Sequence, residues 1–378
     1  MKQFWSHRAK ALTPYTPGEQ PKAQGLIKLN TNENPYPPSP AVLSAMQAAV
    51  NGDLRRYPDP NSTSLCAAVA KAYGLEIDQV FAGNGSDEVL SLAFYAFFDP
   101  EKALKVPNIS YSFYPVYADY YEVKREIIPV NEDFTLPVEG FFGAEGGVII
   151  ANPNAPTGIA LPLADIRRIL EHNPAVPIII DEAYIDFGGA SAVPLIAEFP
   201  NLLVVHTLSK YRSLAGLRAG YAMGQPGLIA ALDTVKNSFN SYPLDRIALA
   251  GATAAIEDST YFSAMAQKTI ATRIRTTRAL EALGFTVCPS SANFIFAGHK
   301  TMTAQEIFTQ LRERNILVRY WNQPQISNQL RISIGTDEEM DAFLEETAEI
   351  VGKRLKCQEK SEIFSNKNIM GTGRAGRE

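Results

Sequence analysis

Between residues 80 and 223 the chain alternates two patterns. Short apolar runs (Val80-Phe-Ala82, Ala103-Leu-Lys-Val106, Val148-Ile-Ile-Ala151, Val176-Pro-Ile-Ile-Ile180, Leu202-Leu-Val-Val-His206 and Gly220-Tyr-Ala-Met223) are separated by longer stretches, among them a helix over about 87–98. A strand covered on both faces needs apolar side chains throughout, whereas a half-exposed strand alternates apolar with polar. The runs therefore predict a mostly parallel sheet between helices, an α/β fold. Amphipathic helices are predicted ahead of it, near 40–50 and 62–73. After about residue 255 the pattern changes. A long helix carrying Arg273, Arg275 and Arg278 leads to strands at Phe285–Val287, Asn293–Phe296, Ile316–Arg319 and Leu330–Ile334, then to a closing helix over about 337–355.

The expected organisation is an N-terminal arm (1–40), a large domain (41–255), a smaller α+β domain (256–355) and a disordered tail (356–378). The arm is expected to be extended, because prolines recur in Leu12-Thr-Pro-Tyr-Thr-Pro17 and up to Pro38 and remove helix and ladder donors. The tail is polar and Gly-rich without period.

Composition narrows the function. Of 378 residues, 46% are hydrophobic and 20% charged, enough apolar material for a sizeable core. A net charge of -5 with no basic stripe argues against nucleic acid. No apolar run reaches membrane-spanning length, and the first residues lack the apolar run of a signal peptide. Cys66, Cys288 and Cys357, like the four histidines, are scattered without zinc-type spacing. A reduced, cytoplasmic location without a metal is expected.

In open α/β sheets ligands bind at the carboxyl ends of strands, so the polar residues there carry the chemistry. After the run at 80–82 stands Gly83-Asn-Gly-Ser-Asp-Glu88, opening a helix whose free N–H groups suit a phosphate. After the run at 176–180 stands Asp181, a carboxylate that serves a metal, an ion pair or a protonated ring nitrogen; Tyr184 follows. Asn152-Pro-Asn-Ala-Pro-Thr-Gly158 places amides on the same edge. The run at 202–206 leads to Lys210, and Arg218 lies eight residues on. A phosphate seat, an acid for a ring nitrogen, an amide and phenol for a phenolate and a lysine for an aldehyde are together what pyridoxal 5'-phosphate requires.

With these motifs, and with Leu29-Asn-Thr-Asn-Glu-Asn-Pro35, Arg56-Tyr-Pro58 and Leu330-Arg-Ile-Ser-Ile-Gly335, the chain resembles the fold-type-I pyridoxal-phosphate-dependent aminotransferases, most closely their histidinol-phosphate branch, over about residues 10–355. The resemblance implies these roles. Lys210 links covalently to the cofactor and shuttles the substrate proton, Asp181 keeps the ring nitrogen protonated and Tyr184 bonds the ring oxygen. Tyr111 stacks on the ring. Backbone of Gly85, Ser86 and Asp87, with Thr207, Ser209 and Arg218, holds the phosphate. Tyr57 reaches that phosphate from a second subunit, which implies a homodimer with shared sites. Ala155 stands where the family carries asparagine before Pro-Thr-Gly, so either Asn154 substitutes or Tyr184 makes that contact alone. Arg331 takes the substrate carboxylate and a phosphate alike, with Arg319, Tyr15 and Asn32 beside it.

The implied reaction converts histidinol phosphate and 2-oxoglutarate to imidazole-acetol phosphate and glutamate in histidine biosynthesis. An aromatic amino-acid aminotransferase and a threonine-phosphate decarboxylase of cobalamin synthesis share nearly all of these motifs. A cofactor-binding regulator would need an added DNA-binding module, for which the chain has no basic segment.

Overall fold

The computed structural model describes residues 3–16, 18–20 and 25–352, so the expected tail, 356–378, lies outside the described residues. Thirteen strands are present among these: β1 (Ile27–Lys28), β2 (Val80–Gly83), β3 (Leu104–Pro107), β4 (Arg125–Ile128), β5 (Val148–Ala151), β6 (Ile178–Asp181), β7 (Leu202–Thr207), β8 (Gly220–Gly224), β9 (Phe285–Val287), β10 (Phe294–His299), β11 (Ile316–Leu317), β12 (Arg319–Tyr320) and β13 (Leu330–Ser333).

Seven of them form one sheet in the order β2-β8-β7-β6-β5-β3-β4, parallel except for β8, which runs antiparallel to both its neighbours. The unbroken apolar runs explain the layers. In β6, Ile178 and Ile180 enter one core with Val69, Ile166, Ile169 and Ala252, while Ile179 enters the opposite core with Leu90, Phe94, Tyr114 and Leu232. Successive side chains of a strand point to opposite faces, so a strand buried on both needs an apolar residue at each position. In this register Ala151, Asp181 and Val205 lie side by side, as do Gly83, Gly220 and Thr207. The carboxyl edge of the parallel strands thereby collects the polar residues that follow them.

The second sheet is antiparallel, in the order β12-β13-β10-β9. Two elements depart from the sequence expectation. The single strand expected over Ile316–Arg319 is two: β11 leaves the sheet to pair with β1, and only β12 pairs with β13. The arm is accordingly not merely extended. Ile27 and Lys28 pair in parallel with Ile316 and Leu317, and Leu29, 1% exposed, enters the core of the second sheet. Proline restricts only its own neighbourhood, and 25–34 contains none, so Leu29 is free to be buried. The long helix is Ser259–Ala282: Asp258 ends the helix Arg246–Glu257 and N-caps the long one, its side chain accepting from the Tyr261 N–H. A last helix covers 337–352. Among the described residues no helix is long and apolar enough to cross a membrane.

Candidate active site

A cavity of about 790 Å³ opens along the carboxyl edge of the large sheet. Ser86, Asp87, Asp181, Tyr184, Thr207, Ser209, Lys210 and Arg218 line it from the large sheet, Arg319 and Arg331 from the small one, and Tyr15 and Asn32 from the arm.

One end is an anion cradle. The helix Gly85–Phe97 points its N-terminus at the start of β8, so closely that a Cβ on Gly220 would lie 2.4 Å from the Ser86 nitrogen. Gly85 has φ +78° and approaches Arg218, whose Nη2 pairs with the Asp87 carboxylate at 3.0 Å. Free helix N–H groups, a guanidinium and the hydroxyls of Ser86, Thr207 and Ser209 fit a phosphate. The Asp87 side chain has a part that the sequence did not reveal: it also accepts from the Tyr111 hydroxyl at 2.8 Å, tying Tyr111 to Arg218.

Beyond the cradle, Asp181 ends β6 and is buried. Its donors are neutral, the Tyr114 hydroxyl at 2.8 Å and the Ala183 N–H at 3.3 Å. Burial raises its pKa to about 6, against the pull of those donors. A carboxylate held this way gains from a cationic partner, and a protonated pyridine nitrogen is one. Tyr114 was also missed in the sequence, although it stands three residues after Tyr111 on the same segment. Lys210 lies beyond β7, its amine donating to the Thr31 carbonyl at 3.1 Å and standing 5.9 Å from the Tyr184 ring centroid. Behind this layer His206 meets Glu182 at 2.8 Å, and the same carboxylate accepts from Ser191 and from the Ala192 N–H. This buried network braces the ends of β6 and β7.

The other end is also cationic. The Arg331 guanidinium lies between the rings of Phe294 and Trp321, at 5.5 and 5.2 Å, and its Nη2 donates to the Asn30 carbonyl. Burial lowers its pKa, and its Nε is buried without a hydrogen-bond partner among the described residues. A buried unpaired N–H is costly unless a ligand meets it. Arg319 stands over the same Trp321 ring, and Tyr15 packs on Phe113.

Of the expected residues, Asn154 is not brought to this cavity, Tyr57, expected to serve a second subunit, lies outside it, and Asn32 is engaged otherwise. Asn154 is buried, donating to the Ile109 carbonyl and accepting from Ser110; its amide is spent on the turn it stabilises. Ala155 and Pro156 line the cavity instead. Tyr57 is 78% exposed and stacks on Tyr242, while the carbonyls of Arg56 and Tyr57 accept from Arg246. Asn32 does reach the cavity, but its amide donates to the Tyr184 hydroxyl at 3.0 Å rather than standing free for a substrate.

A helix-headed anion cradle, a strand-end carboxylate, a phenol and a lysine around one cavity suit pyridoxal phosphate, and the chain belongs to the aminotransferases: the family model "Aminotransferase class I and II" matches residues 24–346. Within the class it is similar to the histidinol-phosphate aminotransferase of Marinomonas sp. (strain MWYL1), 55% identical over 346 residues that cover 91% of this chain and 98% of that one. The histidinol-phosphate aminotransferase of Clostridium acetobutylicum is 54% identical over 351 residues, 93% and 100% of the two chains. The crystal structure of histidinol-phosphate aminotransferase from Sinorhizobium meliloti in complex with pyridoxal-5'-phosphate shares the fold with a TM-score of 0.79 at 26% identity, covering 86% of this chain and 91% of that one.

Proposed function

We propose that this enzyme transfers the amino group of histidinol phosphate to 2-oxoglutarate in histidine biosynthesis. It is a pyridoxal-phosphate-dependent aminotransferase. The observation that carries the substrate reading is the second cationic seat, Arg331 with an unpaired buried Nε and Arg319 beside it, separate from the Arg218 cradle. One cavity then takes two anions, the cofactor phosphate at the helix N-terminus and a substrate phosphate or carboxylate at the small sheet. Relatives named for histidinol phosphate at 54–55% identity support the same choice.

When bound, the cofactor supplies the electron sink that lets the substrate Cα–H bond break. In the proposed roles, Lys210 holds the cofactor aldehyde carbon and moves the proton at the substrate Cα. Asp181 keeps the ring nitrogen protonated, Tyr184 bonds the ring oxygen and Tyr111 stacks on the ring face. Arg218, the hydroxyls of Thr207 and Ser209 and the N–H groups of Gly85, Ser86 and Asp87 bind the phosphate. Half-reaction spectra with histidinol phosphate, glutamate, tyrosine and phenylalanine test the reading. The first two amines should react fastest; faster reaction with either aromatic amino acid, or carbon dioxide release without a keto acid, would overturn it.

Arg331→Lys should weaken both half-reactions, by about tenfold or more, because lysine loses the planar fork that meets a carboxylate or phosphate with two N–H groups. An effect on one half-reaction alone would assign the two anions to different residues.

The proposal includes a cytoplasmic homodimer; Cys66 and Cys288 are free thiols, as a reduced compartment allows. Tyr57, exposed and presented outward by Arg246, is proposed to complete the phosphate site of a second copy. Mixing Tyr57→Phe chains with Lys210→Ala chains would place both lesions in one site and leave the other intact. Activity should then rise towards half of wild type per mixed dimer, given that each parent is impaired. Activity equal to the mean of the two parents would remove the shared site.

A further inference from the structure

Tyr184 lines the cavity, and the group that holds its hydroxyl comes from the arm. The Asn32 side-chain amide donates to the Tyr184 oxygen at 3.0 Å, across 152 residues of sequence. The direction of this bond follows from the surroundings. The Ser333 hydroxyl oxygen accepts from the Asn32 backbone N–H at 2.8 Å, so its own proton goes to the Asn32 Oδ1, 2.9 Å away. That contact fixes Oδ1 towards Ser333 and leaves the NH₂ to face Tyr184. The Asn293 amide donates to the Asn32 carbonyl at 3.0 Å and closes the clamp. Asn32 is 1% exposed with φ +55°, a left-handed conformation that asparagine tolerates better than most residues. The Tyr184 oxygen therefore accepts from Asn32, and among the described residues its proton has no acceptor.

We infer that Asn32 is a positioning residue: its clamped amide occupies the acceptor side of the Tyr184 hydroxyl and so directs the phenol proton into the cavity, towards the ring oxygen of the cofactor. This compensates for Ala155. The amide absent at position 155 is supplied from the arm, one step removed, through Tyr184. The inference rests on the proposed roles above. It differs from the expectation that Asn32 binds substrate, because both ends of its amide are already engaged.

The test is a pH titration of the bound cofactor's absorbance, a readout of the ring oxygen that needs no turnover. A well-directed donor at that oxygen lowers its basicity and with it the chromophore pKa. Asn32→Gly keeps the left-handed backbone and removes the amide, and should raise that pKa by up to about one unit, the effect of one hydrogen bond. In a Tyr184→Phe background the same substitution should leave the pKa where Tyr184→Phe alone puts it. An unchanged pKa in the first case, or an equal rise in both backgrounds, would overturn the inference. Should Asn32→Gly fail to fold, Ser333→Ala releases the clamp; it should raise the pKa in the same direction by less, again only where Tyr184 is present, and any other result overturns the inference too. A wild-type protein that bound no pyridoxal phosphate would instead overturn the proposed function.

Discussion

The Lys210→Ala protein is expected to hold no covalently linked cofactor and to have lost transamination. Lys210 is the one lysine among the described residues lining the cavity, so no second amine stands ready to replace it. The loss has two parts, the covalent link and the proton transfer at the substrate Cα. Removing a positioned general acid–base alone costs about 10²–10⁴-fold in rate. Borohydride reduction of the wild-type holoenzyme followed by peptide mapping should place the label on Lys210. A label on any other lysine would sink the assignment, whatever the activity of the variant.

Asp181→Asn should keep the cofactor and lose most of its turnover. The carboxylate lies buried at the end of β6 with neutral donors only, and burial lifts its pKa to about 6. A protonated ring nitrogen would return the missing charge; an amide cannot. Each 1.4 kcal/mol of lost transition-state stabilisation is about tenfold in rate, and the expected loss is several times that. Near-wild-type turnover would contradict the role. The apo-protein offers a second measurement. With the folded-state pKa raised above the unfolded value, the folded chain holds this proton more tightly than the unfolded chain does. Ionising Asp181 therefore costs stability as pH rises from the unfolded value through about 6, and Asp181→Asn escapes that cost. Denaturant melts of both apo-proteins should diverge in favour of the variant over that window. Parallel pH profiles would mean that the buried carboxylate is compensated in some other way.

Some of this site was legible in the chain because its parts are local. Asp181, Lys210 and the Gly83–Glu88 turn each follow an apolar run, and a polar residue at a strand end needs only the strand to be positioned. Asn154 shows the limit of such reasoning. Its place beside Ala155 made it the nearest substitute in sequence, yet the turn itself uses its amide on Ile109 and Ser110. Tyr114 could be read only as a core aromatic, since a phenol's partner depends on what the neighbouring strand ends with. Arg331 was legible as a cation on a strand, but not as one held between two rings with one N–H unpaired.

The sequence by itself determined the layered sheet, since unbroken apolar runs have nowhere to go but between two layers of helices, and it determined the order in which the chemical groups arrive at the sheet's edge. Tertiary structure alone decided which of those groups meet. β11 splits from β12 to receive the arm, and that pairing carries Asn32 to Tyr184 on one side and Ser333 on the other, contacts spanning 152 and 301 residues. Hydrophobic patterning acts through period and length along the chain, whereas a hydrogen bond between distant residues depends on how two sheets and a docked arm are finally placed. No local pattern records that placement.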